Sequence, residues 1–281
     1  FEIEDEPSFG PEGWPELPTI NRMVLIPAQS GVELRIKHLS THIEENVNVY
    51  PRQVPLESVE NYAVNFDGNP ENLVISDAAA NFEGFWPPEI ASIGRPAIMR
   101  GYRMVSVDIH PMRWNRQTRQ LEVVDEIEIE LDFTTDANRV NTIDLTRQKN
   151  LASHSVYNIV ADLVVNPPEP PRDMGVRNGS IVYVMKQWDN VEEALQPLIE
   201  WRRQMGWTVE VLRVANNAGN QQIKAAIQEA YDEWDSPPEM VIICGDTDGP
   251  FPMGFFDHRG NNAYPYESDH DYVMLDGDDV L

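Results

Sequence analysis

The 281-residue chain carries 47 acidic against 21 basic side chains, a formal net charge of −26. That sign repels phosphate backbones and anionic headgroups, which argues against nucleic acid and membrane surfaces as partners and leaves carboxylates available for divalent cations. The length allows two domains with a core each. No apolar run approaches the ~18 residues of a membrane span, and the single cysteine, Cys244, cannot form an internal disulfide.

Residues 1–22 are rich in proline and acid (GPEGWPELP) and read as an extended arm, because proline fixes φ and removes a donor. Alternation then begins, with Val32, Leu34 and Ile36 on one side and Glu33, Arg35 and Lys37 on the other. That is the pattern of a half-buried strand. Met23–Ile26 and Val47–Tyr50 are shorter strand candidates, and residues 54–100 read only as strands and loops. Val105, Val107 and Ile109 alternate with polar neighbours ahead of the turn-like PMRWNRQTRQ. Leu121, Val123, Ile127, Ile129, Leu131 and Phe133 then share one parity, against Glu122, Glu126, Glu128, Glu130 and Asp132. Asp125 interrupts the apolar parity and marks a bulge. A hairpin with a ten-residue connection, in a region without convincing helices, predicts an all-β, sandwich-like domain over residues 1–163. His38 and His42 have the spacing of a helical ligand pair but lie in a strand pattern, which argues against a metal site there. Residues 140–165 read as a connector, weakly helical or extended.

Residues 164–180 hold Pro167, Pro168, Pro170 and Pro171 within five positions, which makes this stretch the linker. The grammar then changes. Ile181–Met185 is an apolar strand, and Asp189 or Asn190 can cap a helix with Val191, Leu195, Leu198 and Arg202 on one face. Pro197 predicts a kink or a second helix start, and Gly206 a left-handed stop. Trp207–Val214 is the next strand. Asn220 caps a helix burying Ile223, Ala226, Ile227, Ala230 and Trp234, ended by Pro237-Pro238. Glu239–Cys244 is the third strand and Tyr272–Leu275 a further candidate. The resulting β-α-β-α-β order predicts a parallel α/β unit over residues 181–281. A sheet of this size leaves helix faces and an edge uncovered, so the second domain is expected to be partial, with more chain to follow Leu281.

In open α/β sheets, chemistry gathers beyond the carboxyl ends of the strands, so the loop after Cys244 is the place to look for a site. Cys244 in the run VIIC reads as a small buried hydrophobe and not as a nucleophile. Asp246 and Asp248 read as turn formers or a pocket edge. His258 and His270 make a poor catalytic pair across a long loop. Asp269, Asp271, Asp276, Asp278 and Asp279 cluster around turns, oxygen-rich enough for Ca²⁺ although not spaced as an EF-hand.

The succession Gly245-Asp246, Phe251-Pro252, Ser268-Asp269-His270-Asp271-Tyr272 and Gly277-Asp278-Asp279 resembles the gingipain-type cysteine peptidases, family C25. So does PLIEWRRQMGWTVEVLRV upstream, and GWPELP with VSVDIHPMRWNRQTRQLEVV resembles that family's propeptide. The resemblance implies a secreted or cell-surface zymogen whose β-sandwich prodomain covers a caspase-like α/β domain that cleaves proteins or peptides through a Cys–His pair. It also implies bound calcium and a prodomain that partners the remainder of the peptidase domain. The catalytic His and Cys of the family lie downstream of the Gly-Arg step, beyond Leu281, so no catalytic residue transfers to this chain. Cleavage in the linker would release the domain, with Arg172 a candidate cleavage point. The other reading is a non-catalytic extracellular scaffold or a sortase-like, secretion-associated module.

Overall fold

A computed structural model describes residues 3–53, 73–134, 136–137, 139–143, 153–170, 179–257 and 267–275. The chain divides into two compact units. One is Phe1–Val24 with Gly31–Arg95 and Val105–Asn138; the other is Leu25–Ser30 with Pro96–Met104 and Arg139–Leu281.

The proline-rich start is not a free arm. Ser8–Phe9 (β1) pairs antiparallel with Leu17–Pro18 (β2), and Leu17 is buried with Val49, Trp114 and Leu121. Trp14 packs on Trp86 and Phe82 with ring centroids 4.0 and 5.5 Å apart. Proline bars a central strand, yet a two-residue edge pair needs few of the donors it lacks.

Two larger sheets follow. Ile20–Leu25 (β3), Glu33–Glu44 (β4), Phe85–Trp86 (β5) and Ala91–Ile93 (β6) come first in the chain, with the short helix Asp77–Ala80 (α1) between β4 and β5. Ala97–Met99 (β7), Tyr102–Ile109 (β8), Met112–Asn115 (β9) and Gln120–Asp132 (β10) complete the set. One sheet runs β4-β10-β9-β5, the other β3-β8-β6 with β7 also on β8.

The predicted hairpin is thereby corrected. The segment read as a turn contains β9, which pairs with β10 through Trp114↔Leu121, while β8 belongs to the other sheet. Trp114 draws β9 inward because its ring is buried and its indole N–H donates to the Val47 carbonyl at 3.0 Å. The β4–β10 register slips between Val124 and Glu126 and again between Glu128 and Ile129. The first slip leaves Asp125 as the extra residue, as its break in parity predicts; the second leaves Lys37 over on β4. Ile36, Leu39 and Ile43 on β4 remain about two-fifths exposed (40%, 39% and 43%). His38 and His42 sit on this strand and share no helix; His42 Nδ1 lies 2.8 Å from an Asp125 carboxylate oxygen.

The predicted connector contains a true helix, His154–Leu163 (α2), capped by the Ser153 side chain, with Val156 and Val160 buried. Its β-branched residues weaken the helical signal in the sequence.

The second unit holds the parallel sheet. Ser180–Lys186 (β11) lies between Thr208–Val214 (β12) and Met240–Ile243 (β13), with both pairings parallel. All seven β11 residues are buried. Ile181, Tyr183 and Met185 face Ile199, Val209 and Cys244, and Val182 and Val184 face Ile223 and Ile227 on the opposite side. Each large aliphatic side chain so buried stabilises the fold by about 1.5–3 kcal/mol.

The helices are Asp189–Gln204 (α3) and Asn220–Glu233 (α4). Pro197 neither splits α3 nor starts a second helix. The α3 cap is Trp188, not Asp189 or Asn190, and its inward face uses Ile199, with Leu198 39% exposed. Gly206 takes φ +87°, the predicted left-handed stop. Asn220 is the first residue of α4, not its cap; Gly219 caps it, and its N–H donates to Oε1 of Gln222 at 3.0 Å.

Phe256–Asp257 (β14) and Glu267–Ser268 (β15) form a small antiparallel pair. Tyr272 belongs to a 3-10 helix, His270–Val273, and not to the predicted strand. Its ring is held against Phe256 and its hydroxyl donates to the Gly254 carbonyl; these ties favour a turn over an extended strand.

Candidate functional site at the carboxyl rim of the parallel sheet

The carboxyl ends of β11 and β13 meet the loop from Gly245 to Phe255. Gly245 opens that loop with φ +155°, and a β-carbon there would lie 2.4 Å from Cγ of Met253 and 2.7 Å from the Phe251 oxygen. Only glycine fits both the dihedral and the space. The chain then doubles back. The Asp246 N–H donates to the Phe251 carbonyl at 3.0 Å, and the Met253 N–H donates to the Asp246 carbonyl at 2.6 Å. Asp246 is exposed, and its side chain accepts from the Thr247 N–H at 2.7 Å. This is the turn-forming role for that aspartate.

Lys186, the last residue of β11, is buried and donates from Nζ to the Pro252 carbonyl at 2.7 Å. The ammonium also lies 5.9 Å from the centre of the Trp188 ring, which packs edge-on against Phe251 at 5.3 Å. A lysine closing the apolar run SIVYVM is the signal that sequence reading passed over. Its partner is a backbone carbonyl 66 residues away, and residue types do not reveal such a pairing. Gly254 is pressed against the start of α4, where a β-carbon would come within 2.5 Å of the Asn220 nitrogen. The Asn220 side chain donates to the Phe255 carbonyl at 3.0 Å.

Cys244 is buried on the α3 side of the sheet. Burial pushes its thiol up to about 11, and Sγ lies 3.7 Å from the Ile242 carbonyl. A thiol this protonated is a poor nucleophile near neutral pH. Tyr272 is pushed up to about 12, first by burial and then by the negative charges of Asp269 and Asp271.

Of the five carboxylates proposed for a cation, Asp269 is the N-cap of this 3-10 helix and is exposed, and Asp271 lies in its first turn. Asp276, Asp278 and Asp279 lie outside the described residues, as do His258 and Arg172. Among the described residues no group of three or more His, Cys, Asp or Glu is gathered as metal ligands. The two described carboxylates fall short of the six to eight oxygens calcium takes. Among the described residues, no helix is long and apolar enough to cross a membrane.

The chain is similar to Lys-gingipain of Porphyromonas gingivalis, with 25% identity over 255 residues, 85% of this chain and 14% of the relative. It is 23% identical to Gingipain R2 of the same species over 241 residues, 84% of this chain and 31% of the relative. The chain therefore spans less than a third of these relatives' lengths. A solved complex of Porphyromonas gingivalis RgpB pro- and mature domains matches with 21% identity and a TM-score of 0.46, over 58% of this chain and 77% of that one. A structure of gingipain K from the same species, described for its zymogenic latency, matches with 24% identity and a TM-score of 0.36, over 46% and 70%. The family models are decisive: the C25 propeptide model covers residues 2–159 and the peptidase family C25 model covers residues 177–281. With its two halves matched in that order, the chain belongs to the gingipain-like C25 peptidases and joins a propeptide to part of a catalytic domain.

Proposed function

We propose that this chain is the front of a secreted or cell-surface cysteine endopeptidase zymogen, with the catalytic His and Cys supplied by sequence beyond Leu281. The observation that carries this reading is the state of Cys244. The only thiol of the chain is buried and protonated, with its Sγ directed to a backbone carbonyl, so a thiolate nucleophile has to come from elsewhere. On this reading residues 1–163 form the prodomain, 164–180 the linker and 181–281 the opening of the catalytic domain. The substrates are proteins or peptides, the remainder of the peptidase is the prodomain's partner, and activation cleaves at Arg172. The glycine-framed rim from Gly245 to Phe255 supplies one wall of the crevice at the strand ends.

The test is to express the full reading frame, activate it, and assay thiol-dependent hydrolysis of a fluorogenic peptide library. Cys244→Ser should keep full activity, and an iodoacetamide-type inactivator should label a cysteine downstream of residue 281. Loss of hydrolysis in a folded Cys244→Ser protein would overturn the reading. A full-length protein with no thiol-dependent hydrolysis would favour the scaffold role instead. Sequencing the mature N-terminus locates the activation cut.

A further inference from the structure

The chain crosses between its two larger sheets at His110. β8 ends at Ile109 in one sheet and β9 begins at Met112 in the other, so His110 and Pro111 make the whole passage. The backbone there is tied on both sides. The His110 N–H donates to the Ile90 carbonyl at 2.7 Å, just ahead of β6, and the Pro111 carbonyl accepts from the Val124 N–H of β10 at 2.8 Å.

The imidazole is enclosed. His110 is 8% exposed and Thr19, beside it, 6%. The Thr19 hydroxyl lies 3.2 Å from Nδ1. Thr19 joins β2 to β3, and its N–H donates to the Pro7 carbonyl at 2.9 Å, next to β1. One residue thus ties together the proline-rich edge pair, the start of β6 and the crossing to β9. A neutral ring can accept the Thr19 hydroxyl proton at Nδ1, whereas an imidazolium has only donors and forces that hydroxyl to turn.

Charged groups approach the ring from several elements. On β8, Asp108 accepts from Nδ2 of Asn21 on β3 at 2.5 Å. On β9, Arg113 donates from Nε to Glu122 of β10 at 2.7 Å and from Nη1 to the Pro88 carbonyl at 2.7 Å. Glu89, next to Pro88, is exposed. Burial is the largest influence and disfavours a proton on His110; Asp108 and Glu89 favour one, and Arg113 disfavours it. The balance holds the imidazole below its ordinary value. A proton is therefore bound more weakly by the closed ring than by the opened one.

We infer that His110 is an acid latch of the propeptide: a neutral ring keeps the edge pair and the sheet crossing shut, and one proton on it lets them open. The inference rests on the zymogen reading for its consequence alone, which is that a propeptide opening in acid is cut more readily there. The sign follows from linkage. Opening takes up one proton between the ordinary pH 6.5 of an exposed imidazole and the lower folded value. The open fraction rises by at most about tenfold for each pH unit lost within that window, and does not change above it.

The test is amide hydrogen exchange on the full-length protein, blocked with a thiol inactivator, between about pH 7.5 and 5.5, with rates corrected for the intrinsic effect of pH. The amides of Thr19, His110 and Val124 should gain exchange below pH 6.5, by roughly threefold to tenfold at the acid end. Val32, whose N–H donates to the Ala137 carbonyl at 2.7 Å, reports on the rest of the same compact unit and should hold steady. His110→Gln cannot take the proton and should be flat at every one of these amides. Nicking of the propeptide by a trace of added metalloprotease, normalised at each pH to its rate on casein, should follow the same window in wild type and be flat in His110→Gln. No gain in wild type, an equal gain in His110→Gln, or Val32 moving in step with the other three would overturn the latch. The contrast among wild-type amides needs no variant to fold. Exchange reads opening and not hydrolysis by this protein, so failure of the latch leaves the zymogen reading standing, and failure of that reading leaves the exchange result intact.

Discussion

Nε of Arg103 donates to the carbonyl oxygen of Asn141 at 2.9 Å, and the rest of the guanidinium reaches three more carbonyls. Nη1 donates to Pro27 at 2.9 Å and to Ser30 at 2.7 Å, and Nη2 to Val140 at 2.8 Å. Arg103 is 1% exposed. A planar fork with five donors suits this role, and no other side chain can fill it. Arg103→Met should cost about 3 kcal/mol or more, because the carbonyls it serves would stay buried without donors. Arg103→Lys should recover only part of that. Urea midpoints of the three proteins check both.

Gly245→Ala combines a forbidden dihedral with two close contacts, and a loss of about 2–4 kcal/mol is expected. Adding Met253→Ala should recover only part of it, since the Phe251 oxygen is backbone and cannot step aside. Urea denaturation of the single and double variants measures the split.

His110 supplies the pH prediction. Burial holds its pKa below the usual 6.5; the charge of Arg113 pushes the same way, and Asp108 and Glu89 oppose. A Thr19 hydroxyl lies 3.2 Å from Nδ1. The unfolded chain therefore binds a proton at higher pH than the folded one. The stability from neutral His110 is fully present above pH 6.5 and is lost as pH falls through the lower folded value. Melting temperatures between pH 7.5 and 5.5 should fall less steeply in His110→Gln than in wild type. Equal slopes would assign the acid sensitivity to the carboxylates.

Calcium is tested by titration. If Asp269, Asp271, Asp276, Asp278 and Asp279 jointly bind the ion, saturating Ca²⁺ should raise the melting temperature by several degrees, which follows from selective binding to the folded state. Asp269→Asn with Asp271→Asn should abolish the rise. An unchanged melting temperature in wild type removes the site.

The β-α-β-α-β half was legible because its strands are buried on both faces and read as apolar runs, and because Gly206 and Pro237-Pro238 punctuate its helices. What sequence could not supply was set by distant partners. β9 hides among Arg113, Asn115 and Arg116 because one buried ring, Trp114, decides its course. Tyr272 turns into a 3-10 helix because its hydroxyl is tied to Gly254. At the rim, the abrupt Gly245-Asp246 step announced a loop, but the seating of Lys186 on Pro252 depends on a carbonyl whose position only the fold provides.

Among the described residues β4 ends one sheet, and it spans twelve residues, long enough to template a second chain. Two leftover residues, Asp125 and Lys37, spoil the even repeat that such templating needs, and Lys37 adds a charge 3.0 Å from Glu130. Irregularity along a sheet border is a recognised device against edge-to-edge pairing of chains. Deleting Asp125 and neutralising Lys37 is expected to straighten the strand and to favour association of concentrated protein, which light scattering would detect.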